Sequence, residues 1–138
     1  MATKKNIPLS KFATDTMALV LFLEKRKMPQ QVKAVFQSAI TGTDEIWIPA
    51  MVLAEVGYLS ERGRISASIS DVEKLVSVNQ NFHFQEISTS IVSLAFQIPD
   101  VPELHDRLIA ATAHFLKMPL ITNDPVIQNS ATVQTIWT

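Results

Sequence analysis

The sequence has no cysteine, and that absence removes disulfides, thiolate metal sites and thiol nucleophiles at once; it fits a reducing compartment without requiring one. Glycine is scarce too. There are three in 138 residues and none stands in a G-x-G-x-x-G or Walker pattern, so a glycine-rich phosphate cradle is excluded. Neither sign of charge dominates, with twelve Lys and Arg against thirteen Asp and Glu. A whole-molecule basic field that would draw in nucleic acid is therefore missing, and any such contact must come from local patches. Long hydrophobic runs are lacking as well. Met17–Leu23 is the longest and falls far short of a bilayer span, while MATKKNIPLSKF has no apolar signal core. A cytoplasmic protein with no membrane partner is the expectation. His83, His105 and His114 are too scattered for a zinc motif.

Apolar residues make up 47% of the chain, enough for one substantial core and an α/β domain spanning residues 1–138. Strand and helix patterns alternate. Lys11–Thr14 reads as a first strand, followed by a helix from about Thr16 to Lys27 and another from Pro29 to about Ile40. Thr41–Glu45 reads as a turn and Ile46–Ile48 as a strand, with a helix from Ala50 to about Arg62 closed by Gly63. A helix over Ser68–Ser77, a strand over Phe82–Ile87 and a helix capped by Ser88 come next. A helix from Leu104 to about Lys117, the strand Leu120–Thr122 and a last strand over Thr132–Trp137 complete the series. Such alternation predicts a mostly parallel sheet covered on both faces.

The acids carry the chemistry. In HDRLIAATAHFLKMPLITND, a helix of roughly 20 Å and a returning strand separate Asp106 from Asp124. A right-handed crossover brings both to one sheet edge. Asp15 follows the first strand and Glu55 lies in the second turn of the helix after Ile46–Ile48, so all four acids map to the edge where open α/β sheets bind ligands. Taken singly, Asp15, Asp106 and Asp124 are ordinary helix-start acids. Glu55 stands out because Met51, Val52, Val56, Tyr58 and Leu59 form an apolar arc of roughly 160° with Glu55 inside it. A carboxylate there needs a partner, such as Arg62 or Arg107, or a metal. Ala110 and Ala113, assigned to the Asp106 side of their helix, would leave room beside the acids.

Several oxygen donors at one edge suit Mg2+ or Mn2+, and that in turn suits phosphodiester hydrolysis. Thr16 and Thr122 are placed to orient a carboxylate, and Arg62, Arg64 and Arg107 to meet phosphates flanking the scissile bond. Lys25–Lys27 reads as solvated surface and His105 as an exposed helix-end residue. A haloacid-dehalogenase-like phosphatase would want an acid where Met17 stands.

With these residues in view, the chain resembles the PIN-domain nucleases, and among them the small VapC-like toxins of prokaryotic type II toxin–antitoxin pairs. The resemblance rests on Thr14-Asp-Thr-Met-Ala-Leu-Val, Ile48-Pro-Ala-Met-Val-Leu-Ala-Glu-Val with Glu61-Arg-Gly-Arg-Ile after it, His105-Asp-Arg-Leu-Ile-Ala-Ala-Thr-Ala and Pro119-Leu-Ile-Thr-Asn-Asp, in that order. It implies a three-layer α/β/α fold, metal-dependent cleavage of single-stranded or structured RNA, homodimerisation and a cognate antitoxin. It also implies an acidic quartet of Asp15, Glu55, Asp106 and Asp124, with Asp15 and Asp106 the most direct metal ligands. Met17 departs from the polar residue often found after the Asp–Thr pair, and the first strand is more polar than usual, with Pro8 placed ahead of it. The contrasting readings are a PIN-like module that binds RNA or protein without cutting, and a phosphatase built on the same edge.

Overall fold

The computed structural model describes residues 10–138; Pro8 lies outside them. Five strands form one sheet: β1 (Ser10–Thr14), β2 (Asp44–Pro49), β3 (Phe82–Gln85), β4 (Leu120–Ile121) and β5 (Thr135–Ile136). Their order is β3-β2-β1-β4-β5, and every pairing is parallel. The helices are α1 (Thr16–Leu23), α2 (Gln30–Thr41), α3 (Ala50–Glu61), α4 (Ile69–Val78), α5 (Thr89–Ala95), α6 (Leu104–Leu116) and α7 (Pro125–Gln128). From β1 the chain winds outward through β2 to β3, then crosses back to β4 and continues to β5. Right-handed crossovers put the helices of these two runs on opposite faces, giving an α/β/α sandwich. The winding reverses between β1 and β4, and their carboxyl ends flank the crevice that such a reversal opens.

Several boundaries differ from the sequence expectation, each for a local reason. Helix α1 stops at Leu23 instead of Lys27 because Lys25 turns left-handed, with φ 55°. Strand β2 absorbs Asp44 and Glu45, expected in a turn, because parallel register pairs them with Ser10 and Lys11. The reversal before it is made at Gly42, whose φ of 92° favours glycine. Ser68 caps α4 through a reciprocal capping box with Asp71. The last strand pairs only at Thr135 and Ile136.

Packing follows the burial pattern. Helix α1 is apolar on nearly all sides because it is enclosed, with Ala18, Leu19 and Val20 buried. Phe22 stacks on Phe36 at 4.7 Å and on Phe82 at 6.3 Å, joining α1 to α2 and β3. Ala13, Ile46, Ile48, Leu120 and Ile121 fill the sheet's interior. Helix α6 turns Ala110, Ala111 and Ala113 into this core. Ala110 and Ala113 therefore let the helix pack closely, and they do not open space beside Asp106; the α6 residues that line the crevice are His105, Asp106 and Ile109. Among the described residues, no helix is long and apolar enough to cross a membrane.

Candidate active site

The crevice between the ends of β1 and β4 is a cleft of about 790 Å³. Asp15, Glu55, Asp106 and Asp124 all line it, brought from four separate segments of the chain. Asp15 sits just past β1, where its N–H continues the sheet by donating to the Ile121 carbonyl at 3.0 Å. Its Oδ1 accepts from the Ala18 N–H at 2.9 Å, capping α1. Asp124 caps α7 in the same way, with Oδ1 accepting from Val126 N–H at 2.8 Å and Ile127 N–H at 3.3 Å. Asp106 lies in the first turn of α6, where Glu103 is the cap and accepts from the Asp106 N–H at 2.9 Å. Capping and clustering are thus compatible: the helix starts that stabilise these acids singly are the elements that gather them.

Two threonines hold the carboxylates in place, and both are buried. The Thr16 hydroxyl donates to Glu55 Oε1. The Thr122 oxygen accepts the Asp124 N–H at 3.0 Å, and the same side chain lowers the Asp15 pKa, so one threonine bears on two acids. Glu55 is therefore partnered by Thr16, with His105 Nδ1 at 3.6 Å, and by neither Arg62 nor Arg107. Its helix divides the apolar arc in two. Val52 and Val56 are buried in the core, whereas Met51, Tyr58 and Leu59 face the cleft.

The electrostatics are those of negative charges held close together. Burial pushes the Asp15 carboxyl up to about 6; the Thr122 and Ala18 hydrogen bonds pull the other way, and the charges of Asp124 and Glu55 add to the rise. Asp106 is likewise raised to about 6, first by desolvation and then by Asp124, Glu103, Glu55 and Asp15. Among the described residues, no lysine or arginine lines the cleft. Four carboxylates lining one cleft fit a hard divalent cation, whose charge would relieve their repulsion. Among the described residues, no three Asp, Glu or His side chains are grouped closely enough to hold a metal ion by themselves.

The arginines are placed differently from one another. Arg107 donates Nε–H to the Val101 carbonyl at 2.7 Å and lies over the Phe96 ring at 5.3 Å, so its guanidinium is engaged away from the cleft lining. Arg62 lies over Tyr58, itself a lining residue, at 4.4 Å. Arg64 is exposed beyond Gly63. His105 is exposed but lies 3.6 Å from both Glu55 and Glu103 and lines the cleft. The signal for it was its position next to Asp106 at the start of α6.

The fold is shared with solved structures at low identity. A chain of VapBC2 from Rickettsia felis, bound to a DNA fragment from its promoter, has a TM-score of 0.68 at 17% identity, covering 93% of this chain and 99% of that one. A chain of DNA-bound VapBC from Salmonella typhimurium gives 0.68 at 15% identity, covering 93% and 98%. VapC20 of Mycobacterium tuberculosis, a toxin that cleaves the sarcin-ricin loop, gives 0.62 at 10%, covering 92% and 99%. No curated protein sequence matches the chain. The PIN domain family model matches residues 13–132, a span that contains all four cleft carboxylates, and the chain belongs to the PIN domain family.

Proposed function

We propose that this chain, a single PIN domain over residues 1–138, is the toxin of a toxin–antitoxin pair: an endoribonuclease that hydrolyses RNA phosphodiester bonds with Mg2+ or Mn2+. The observation that carries this reading is the convergence of Asp15, Glu55, Asp106 and Asp124 on one crevice. A divalent ion bound there would supply Lewis-acid stabilisation of the charge that develops on the phosphodiester. Asp15 and Asp106 would hold it most directly, with Glu55 and Asp124 acting directly or through water. Thr16 fixes the Glu55 carboxylate, and Thr122 sets Asp15 relative to the Asp124 backbone. Exposed Arg62 and Arg64, at the end of α3, serve flanking phosphates. An antitoxin covering the cleft, a homodimeric state and a cytoplasmic location belong to the same reading, which the VapBC likeness of the fold supports.

Cleavage of RNA by the purified chain tests it. Wild type should cut in Mg2+ or Mn2+ and stop on chelation. Asp15→Asn and Asp106→Asn should fall to background while keeping a wild-type circular dichroism spectrum. Undiminished cleavage by both variants would overturn the assignment. Retained RNA binding with no cleavage by wild type in either ion would leave a non-cutting module.

A further inference from the structure

Tyr58 is the chain's single tyrosine, and it is 55% exposed on the wall of the cleft that holds the four carboxylates. It follows Glu55 by three residues on α3, which places the two on one side of the helix about one turn apart. One turn further, Arg62 lays its guanidinium over the Tyr58 ring at 4.4 Å, so the ring is held in a set orientation. Met17, Met51, Leu59 and Ile109 make up the apolar remainder of the wall.

The acids and this wall do different work. Carboxylates can act on a phosphate only through a cation. An apolar wall with an aromatic face offers a phosphate nothing, but it suits a flat heteroaromatic group, and the guanidinium beside it suits the next anionic group along. A nucleobase followed by a phosphate has that sequence of chemistries. We infer that Tyr58 is the stacking platform for an unpaired base next to the scissile phosphate, with Arg62 meeting the phosphate beyond it. Such a platform takes a base only where the RNA is single-stranded at the cut, because the faces of a base within a duplex are already covered by its neighbours. The inference rests on the ribonuclease reading above. Tyr58 acts as a positioning residue, so its removal should appear in substrate capture more than in turnover.

The test is steady-state cleavage of an unstructured oligoribonucleotide in Mn2+ by wild type, Tyr58→Phe, Tyr58→Leu and Asp15→Asn. Tyr58→Leu should raise KM on the order of tenfold, the scale of one lost base stack. Its kcat should stay within about twofold, as expected for lost uniform binding, and Tyr58→Phe should behave as wild type. On a substrate carrying an abasic ribose beside the cleaved bond, wild type should show the raised KM and Tyr58→Leu should add nothing to it. A wild-type KM for Tyr58→Leu with Asp15→Asn inactive would overturn the inference and leave the nuclease reading standing. So would the same tenfold loss on the abasic substrate. Unchanged RNA kinetics with weakened inhibition by the antitoxin would also overturn it, giving the ring to the protein partner. A wild type that does not cut, or an Asp15→Asn that cuts equally, would remove the nuclease reading and this inference with it.

Discussion

Glu24, just past α1, accepts hydrogen bonds from the N–H groups of Ser66 and Ala67 at 2.7 and 3.0 Å. Asp100 accepts from Ser130 Oγ and the Ala131 N–H, both at 2.9 Å. Both acids are held below the ordinary carboxylate range, chiefly by the Ala67 and Ala131 N–H groups respectively. Across the molecule, Asp15 and Asp106 are raised to about 6. Asp15 also accepts a backbone N–H as a helix cap, yet its burial outweighs that bond. The difference lies in surroundings, not residue type. The loop-clamping acids face donors and open water, whereas the cleft acids face one another. Only the second arrangement leaves negative charge that a bound cation would relieve.

The largest expected effect sets the two groups directly against each other in the metal-free protein. Because Asp15 has a folded pKa of about 6 against an ordinary 3.8, the folded state holds a proton there that the unfolded state has released. Its penalty is absent below about pH 4, grows through pH 6 and is complete above it, reaching roughly 3 kcal/mol. Asp15→Asn should therefore unfold at a higher temperature than wild type at pH 7.5 and at the same temperature at pH 4. Calorimetry with chelator at both pH values measures this, and an Asp15→Asn variant less stable than wild type at pH 7.5 would break the comparison. Mn2+ should act in the same direction. At a hundredfold excess over Kd it should stabilise the wild type by roughly 3 kcal/mol at pH 7.5, with a much smaller shift at pH 5 and in Asp15→Asn.

A smaller effect concerns the threonine that spans two acids. Thr122→Val removes a hydrogen bond that lowers the Asp15 pKa, so the acid limb of the pH–rate profile for RNA cleavage should move to higher pH. An unmoved limb would mean that the hydroxyl is needed only for the Asp124 backbone. The smallest effect belongs to the clamps. For Glu24 the folded pKa lies below the ordinary 4.5, so its stabilisation is present above that pH and fades as pH falls through the folded value. Glu24→Ala should lower Tm by a few degrees at pH 7 and by less at pH 3.5, opposite in sign to Asp15→Asn. RNA cleavage at 25 °C should be unchanged by it.

Much of this arrangement was legible in the chain. The alternation of strand and helix patterns, the positions of Asp15, Asp106 and Asp124 at helix starts, and the anomaly of Glu55 within an apolar arc all follow from local chemistry. What was not legible depends on partners distant in sequence. Thr16 reads as a hydroxyl placed to orient a carboxylate, but only the fold decides that the carboxylate is Glu55, 39 residues away. Arg107 reads as a phosphate contact until Val101 and Phe96 are seen to hold it. Ala110 and Ala113 read as space for a ligand until their helix is seen to press them into the core. His105 reads as a surface residue until α3 brings Glu55 beside it.

The sequence by itself determined which acids stand at the ends of strands and the starts of helices, because caps and periodicity are decided within a few residues. Only the tertiary structure decided that these ends meet. The reversal of winding between β1 and β4 opens a crevice lined by four carboxylates from four segments. The raised pKa values of Asp15 and Asp106, the threonine partners of Glu55 and Asp124 and the exposed ring of Tyr58 on the same wall are properties of that meeting, since electrostatic repulsion, burial and stacking depend on distance in space rather than along the chain.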